Sequence, residues 1–338
     1  MIKLERVIEH FGVDLLKFSP VTENVYYITD GKHEYALKKS SLTKDSVNHW
    51  ENVFHQTYRL NLLGILPVYL TKEEKLYCIV NNEIYYLTPW VKSIKDKLNF
   101  EHFFKYLGKI HQTTKYYQTI SYKNMKDEFG AYLVACEKNY QFILSTVEQF
   151  EKNKYMSPFE LLVCTQFVSL KRVYHVLKGF IKRFIENRED ETTWNVSLCH
   201  GNLSCEHILQ SNQPLFINWE KSCYHHSTYD LSIFFRNTVK NYGAEEDSLL
   251  EMFDYYMKEN ELRIDELYLL AIYLLDMQKY ISILKSYLHR KQKRENNFSV
   301  IEQTKLLNQT HRQLMFALKF ADLVDEKEDD LLLDDFDS

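Results

Sequence analysis

The chain has little glycine: eight residues in 338, with only five prolines. Collagen-like, linker-rich and low-complexity classes need far more of both and are excluded. Cysteine is too thinly spread for a stapled scaffold. Cys78, Cys136, Cys164, Cys199, Cys205 and Cys223 are scattered through a long chain, which reads as reduced thiols. No unbroken run of about 18 apolar residues is evident, so no membrane-spanning helix and no membrane partner are expected. The opening MIKLERVIEHFGVDLL carries charges throughout and no small-residue cleavage site. It reads as an amphipathic helix, not a secretory signal, so synthesis in the cytoplasm is expected.

A strongly basic surface is also missing. Net charge is −5, but the stretch from Asp325, DEKEDDLLLDDFDS, holds eight acidic residues against one lysine. The rest of the chain is near +2, from 41 basic and 39 acidic residues. That is not a nucleic-acid footprint, and no nucleic-acid partner is expected. The acidic tail, residues 325–338, reads as a solvated, disordered end. The alternative is a docking peptide anchored by Leu331, Leu332, Leu333 and Phe336. Hydrophobic residues at 45% are enough for a sizeable core in one large domain or two lobes.

The first ninety residues read as strands and hairpins. Val25–Ile28, then Asp30-Gly31, then His33–Lys38 is a hairpin pattern. A helix is expected over DSVNHWENVFHQTYRLNLL, closed by Gly64. Pro67–Leu70 reads as a short strand, and LYCIV-NN-EIYYL as a second hairpin. Thr88-Pro89-Trp90-Val91 looks like a connector. From about residue 100 the pattern turns helical. Ser157-Pro158-Phe159-Glu160 is a capping box with proline at the first helical position, opening a helix to about Arg188.

One stretch carries chemistry. His200-Gly201-Asn202-Leu203 leads to His207-Ile208-Leu209; Ile217-Asn218-Trp219-Glu220 and then Asp230-Leu231 follow. Kinase-type phosphoryl transfer needs a carboxylate base, an amide and a second carboxylate on Mg²⁺, and a strand lysine on the phosphates. The spacing resembles the aminoglycoside-phosphotransferase-like kinases. There the loop runs His-Gly-Asp-Leu-His-x-x-Asn-Ile-Leu, and the metal strand runs Ile-Asp-Trp-Glu. Tyr35-Ala36-Leu37-Lys38 is similar to the family's lysine strand, and LGKIHQ, ending in His111-Gln112, to its first large-lobe helix. The resemblance spans roughly residues 20–240. It implies an α+β, two-lobed protein-kinase-like fold. Residues 1–91 would form the N-lobe, with a five-stranded sheet and one helix, and residues 92–324 a helical C-lobe. Length, ALKKS, ILPVYLT and YYLTPW resemble the spore-coat branch of this superfamily, the CotS type with YsxE-like members. That likeness implies a place in a spore coat and other coat proteins as partners.

The departures fall on the chemistry. Asn202 stands where the family has its base, and an amide takes no proton at neutral pH. His207 and Asn218 stand at the two Mg²⁺ positions, one a nitrogen ligand and the other uncharged. FSPVTENV, in place of the phosphate loop, has no glycine. Lys38 is either the phosphate lysine or an exposed strand lysine beside Lys39. Glu51 is its candidate helix partner, or part of a solvated helix face. Thr88 and Trp90 are placed in a possible nucleotide cleft. Cys199, His200, Cys205, His207, Cys223, His225 and His226 crowd together but match no common zinc spacing. The basic run His289–Arg294 reads as a solvated helix end or a docking patch.

The expectation is therefore a pseudokinase acting by protein contacts, without a cofactor. The rival is an active small-molecule phosphotransferase using Mg-ATP, with Glu206 or Glu220 as substitutes.

Overall fold

In the computed structural model the described residues are 2–92, 98–189, 191, 193–240, 246–293 and 298–337. Along the chain they form α1 (Ile2–Phe11), β1 (Lys17–Pro20), β2 (Val25–Thr29), β3 (Glu34–Ser40), α2 (Lys44–Arg59), β4 (Cys78–Val80), β5 (Glu83–Pro89), α3 (Phe100–Thr114), β6 (Tyr116–Thr119), α4 (Tyr122–Glu151), α5 (Pro158–Asn187), β7 (Thr193–Cys199), β8 (Ile208–Gln210), β9 (Pro214–Phe216), β10 (Cys223–His225), α6 (Ser227–Val239), α7 (Glu246–Glu259), α8 (Ile264–Leu275), α9 (Gln278–Lys293) and α10 (Phe298–Asp337). The class is α+β, as the sequence predicts.

These elements gather into two compact units. The first comprises Met1–Lys115, Ser197–His225 and Lys258–Asn260. It reaches past the expected boundary at residue 91 and contains the whole loop of interest. Its sheet has the order β1-β2-β3-β5-β4, antiparallel throughout. Both hairpins form where the turn residues predict them. Asn81 and Asn82 both take positive φ (54° and 61°), as a two-residue turn between twisted strands requires. Successive β5 side chains point to opposite faces. Tyr85 and Leu87 meet Val7, Ile8 and Phe11 of α1 in one core cluster. Tyr86, between them, faces the other way, with its ring 5.0 Å from Trp50 of α2.

Two local expectations fail. Pro67–Leu70 is not a strand; the fifth strand is β1 instead. The Tyr58 hydroxyl accepts from Val68 N–H at 2.7 Å and donates to Val68 C=O at 2.8 Å. A side chain thus satisfies the backbone groups that a ladder would have used. The helix expected to run to Gly64 ends at Arg59, capped at Leu60. Gly64 still needs its left-handed backbone, φ +85°, and its carbonyl accepts from Phe216 N–H at 2.6 Å.

The second unit comprises Tyr116–Val196, His226–Met257 and Glu261–Ser338 and is mainly helical. The capping box at Ser157 and Glu160 forms as read, and α5 runs 30 residues from it. Leu170, Val173, Leu177, Phe180 and Phe184 make its buried stripe, while Phe167 is only half-buried. At the far end Arg188, almost fully buried, donates to Asp265 at 2.6 Å and to the Thr193 carbonyl. The segment Ile264–Lys291 is long and apolar enough to cross a membrane on length and composition, although charged residues interrupt its apolar run. It is divided between α8 and α9, and most of its apolar window is buried inside the protein.

The acidic tail is not the disordered end that its composition suggests. α10 continues through it to Asp337. Arg183 of α5 ion-pairs with both Asp325 (2.8 Å) and Glu328 (2.6 Å), so the tail's first turn is anchored. The side chains of Leu331, Leu332, Leu333 and Phe336 lie outside the described residues. Of the basic run, Lys291 ion-pairs with Glu160, and Arg294 lies outside the described residues.

Candidate active-site cleft

The His200 loop is held in a kinase-like shape by its own side chains. His200 is fully buried. Its Nε2 lies 2.7 Å from the Ile217 carbonyl, which can only accept, so Nε2 carries the proton. Nδ1 then accepts from the Asn202 N–H at 3.3 Å. The Trp219 ring packs against His200, 4.9 Å between centroids. Gly201 takes φ +74°, and a Cβ there would stand 2.1 Å from the Lys221 carbonyl oxygen. No other residue fits that approach.

The reactive positions within this frame are changed. His207 Nδ1 donates to the Asn202 carbonyl at 2.7 Å, leaving Nε2 as the acceptor nitrogen of the neutral ring. Glu206, the proposed substitute base, is exposed and has no hydrogen bond or ion pair among the described residues. Asn218 sits in the left-handed region, φ 68°, which asparagine tolerates better than most residues.

Lys38 reaches this strand end. It lies opposite Val25 on β2 and Tyr86 on β5. Its Nζ donates to Asn218 Oδ1 at 2.6 Å and ion-pairs with Glu220. Lys38 is therefore a cleft lysine, not a solvated strand lysine. Glu51 is not its partner: Glu51 accepts from the Leu76 N–H at 3.3 Å instead. Sequence reasoning placed Glu220 only as a substitute metal ligand and missed Tyr86, whose hydroxyl donates to Glu220 at 2.9 Å. The alternation in EIYYLTP marks Tyr86 as facing away from Tyr85 and Leu87, and that was the available signal. Burial pushes the Glu220 carboxyl up, but the Lys38 ammonium and the Tyr86 hydroxyl outweigh it and leave it below its usual value. Burial, then the Glu220 charge, push the Tyr86 hydroxyl well above its usual value.

Beside this charged knot is a cavity of about 310 Å³. Val25, Ala36 and Val68 line one part, and Leu209, Ile217 and Asn218 another. Thr88 and Trp90 both line it; Thr88 and Pro89 belong to β5 and are not part of a connector. Thr88 is buried, and the Trp90 N–H donates to the Glu34 carbonyl at 3.0 Å. The lining is apolar, suited to a flat ring system with a polar group near Lys38. The loop between β1 and β2 is closed on itself. Val21 and Thr22 N–H both donate to the Val25 carbonyl, and Asn24 N–H to Thr22 Oγ1. Those amides are spent within the turn and are not directed at a phosphate.

Lys38, Asn218, Thr88 and Trp90 thus share one cavity, and Asn202 and His207 are joined by a hydrogen bond in the adjoining loop. Glu220 is the single carboxylate among the motif positions 202, 207, 218 and 220, and it already faces an ammonium. This set offers Mg²⁺ one shared anionic ligand, where such sites use one or two free carboxylates.

No family model matches the chain, and no curated protein does. Solved structures do match in fold. An aminoglycoside phosphotransferase from Alicyclobacillus acidocaldarius subsp. acidocaldarius DSM 446 superposes with a TM-score of 0.72 at 14% identity, over 95% of this chain and 96% of its own. A spectinomycin phosphotransferase in complex with ADP and spectinomycin gives 0.58 at 16%, over 94% and 96%. A microcompartment-associated aminopropanol kinase gives 0.52 at 13%, over 95% and 97%. At these identities the likeness shows the fold, and the chain has the fold of aminoglycoside-phosphotransferase-like kinases.

Proposed function

We propose that this chain is a kinase-fold protein without phosphoryl transfer, acting through protein–protein contacts as a component of a spore coat. The observation that carries the catalytic half is the Lys38–Asn218–Glu220 knot. The phosphate lysine is matched by Glu220, the one carboxylate among positions 202, 207, 218 and 220, and the base position holds an amide. Loss of a positioned base costs about 10²–10⁴-fold in rate on its own. Here the metal charge and the open phosphate loop are missing as well. The coat assignment rests on the CotS-type resemblance of the sequence, with other coat proteins as partners.

A second reading is favoured by the cavity beside Lys38 and by the solved neighbours, which are phosphotransferases and kinases. In it the chain binds Mg-ATP and phosphorylates a small amino-bearing molecule, with Glu220 and His207 on the metal. Calorimetric titration of ATP with and without Mg²⁺ separates the two. The first reading expects Mg²⁺ to leave the affinity unchanged. Tightening by tenfold or more on adding Mg²⁺ would favour the second.

A further inference from the structure

The helical unit has a cavity of its own, about 200 Å³, between α6, the joint of α8 and α9, and α10. Its lining is unusual in charge. Arg236 and Lys279 both face it, together with Thr310 and Gln313. Among the described residues, neither the Arg236 guanidinium nor the Lys279 ammonium has a hydrogen bond or an ion pair. Arg236 is half-buried, where a cation ordinarily finds a partner, and Lys279 stands exposed at the rim.

The one lining carboxylate is already committed. Asp276 Oδ1 accepts from the Tyr132 hydroxyl at 2.9 Å and from the Gln278 N–H at 3.3 Å. It acts on Arg236 only as a nearby charge. Gln313 donates its amide N–H to the Arg236 carbonyl at 2.7 Å, which fixes the backbone under the guanidinium. The Thr310 hydroxyl donates to the Leu306 carbonyl at 2.8 Å. Both side chains are buried. Burial, followed by the charges of Arg236 and Lys240, pushes the Lys279 ammonium below its usual value. Burial likewise lowers Arg236, with Asp276 opposing. Among the described residues that line the cavity, two cations stand against one carboxylate, which leaves about one positive charge unmatched.

We infer that this cavity is a binding site for a small dianionic oxyanion of the phosphate class, clasped by Arg236 and Lys279. A planar guanidinium gives paired hydrogen bonds to two oxygens, and the ammonium gives a third contact. The anion would supply the charge that the fold leaves out. The same chemistry is offered by free phosphate and by the phosphate of a small phosphomonoester. The inference does not depend on whether the Lys38 cleft transfers phosphoryl groups, since none of its residues is used.

The test uses the whole chain. Inorganic phosphate and glycerol phosphate are titrated by calorimetry at fixed ionic strength, with chloride as the balancing salt. One saturable site is expected for at least one of them. Tighter binding of the ester would identify a phosphorylated metabolite as the natural source, and equal or weaker binding the free ion. Arg236→Gln and Lys279→Met should each weaken binding by tenfold or more. Neither change removes an existing ion pair, so neither variant should melt lower than the unmodified chain. A readout on the unmodified protein stands apart from folding of the variants. Phenylglyoxal should modify Arg236, seen by peptide mass, and phosphate should protect it. Absence of saturable binding of both anions, or binding that survives both substitutions, or no protection of Arg236, would overturn the proposal.

Discussion

The Lys38 ammonium donates to the Asn218 side-chain oxygen at 2.6 Å, a bond between residues 180 positions apart. It joins the lysine strand to the strand end that would carry the metal, and it uses a neutral oxygen where a kinase has a charged one. Returning the charge is the direct probe. Asn218→Asp keeps the shape and adds a second carboxylate beside Glu220, so Mg²⁺ affinity should rise by about tenfold or more. Adding Asn202→Asp and His207→Asn should tighten Mg-ATP further in calorimetry. Turnover need not return, because the closed loop at Val21–Asn24 is untouched.

Gly201 tests whether the frame is held by sterics. A methyl group there meets the Lys221 carbonyl oxygen at 2.1 Å, on a backbone with φ +74°. Gly201→Ala should destabilise by roughly 3 kcal/mol in denaturant unfolding. Gly130 in α4 is the control: nothing lies within 4 Å of its added Cβ. Gly130→Ala should be stabilising by about 0.5–1 kcal/mol, through helix propensity alone.

The Glu220 pair gives a pH signature. Its carboxyl is held below the usual value in the folded state. Stability from such a group is fully present above the unfolded carboxylate value, about 4.3, and is lost as pH falls through the lower folded value. Melting temperature should therefore fall on the acid side of pH 4 with a contribution that Glu220→Gln removes. At pH 7 that variant leaves Lys38 and the Tyr86 hydroxyl facing an amide. It should cost about 3 kcal/mol, the low end for a broken buried pair, because Lys38 keeps some solvent. An acid limb as steep in Glu220→Gln as in the unmodified protein would contradict the assignment.

Arg188 and Asp265 form a more deeply buried pair, with side chains 1% and 5% exposed. Asp265→Asn should destabilise by about 3–5 kcal/mol, since the guanidinium stays buried without its counter-charge. Thermal unfolding of the variant checks this.

The acidic tail should matter slightly. Ending the chain before Asp325 removes both partners of Arg183, each partly exposed. Exposed pairs contribute about 0.2–1 kcal/mol apiece, so the melting temperature should drop by a few degrees and no more. No change at all would mean that the two pairs contribute nothing.

Much of this was legible in the sequence wherever the signal is local. Asn81-Asn82 between β-type runs, Ser157 with Glu160, and His200-Gly201 before Leu203 each specify their geometry within a few residues, and each is found. What was missed depends on distant partners. Composition cannot show that Arg183 lies across from Asp325, so an acidic stretch read as disorder forms the end of a helix. The Glu51 assignment followed the usual helix partner of a kinase lysine, but Lys38 turns to Glu220 instead. β1 escaped because four residues ending in proline carry no alternation to read, and Pro67–Leu70 is not a strand because the Tyr58 hydroxyl takes both backbone groups of Val68, so the bond from the Tyr69 N–H to the Leu87 carbonyl does not extend into a ladder. In the cleft the residue types were readable one by one. That Lys38, Asn218, Glu220 and Tyr86 form one closed knot was not.

The central claim is the absence of phosphoryl transfer, and transfer of label from γ-labelled ATP tests it most directly. The unmodified protein should be incubated with Mg-ATP and, in turn, aminoglycosides, spectinomycin and aminopropanol, with Glu206→Ala and Glu220→Ala as controls. The account predicts no label on any acceptor above the level given by the controls. Turnover by the unmodified chain that disappears in either control would contradict it, and would show that a substitute carboxylate has taken over the chemistry.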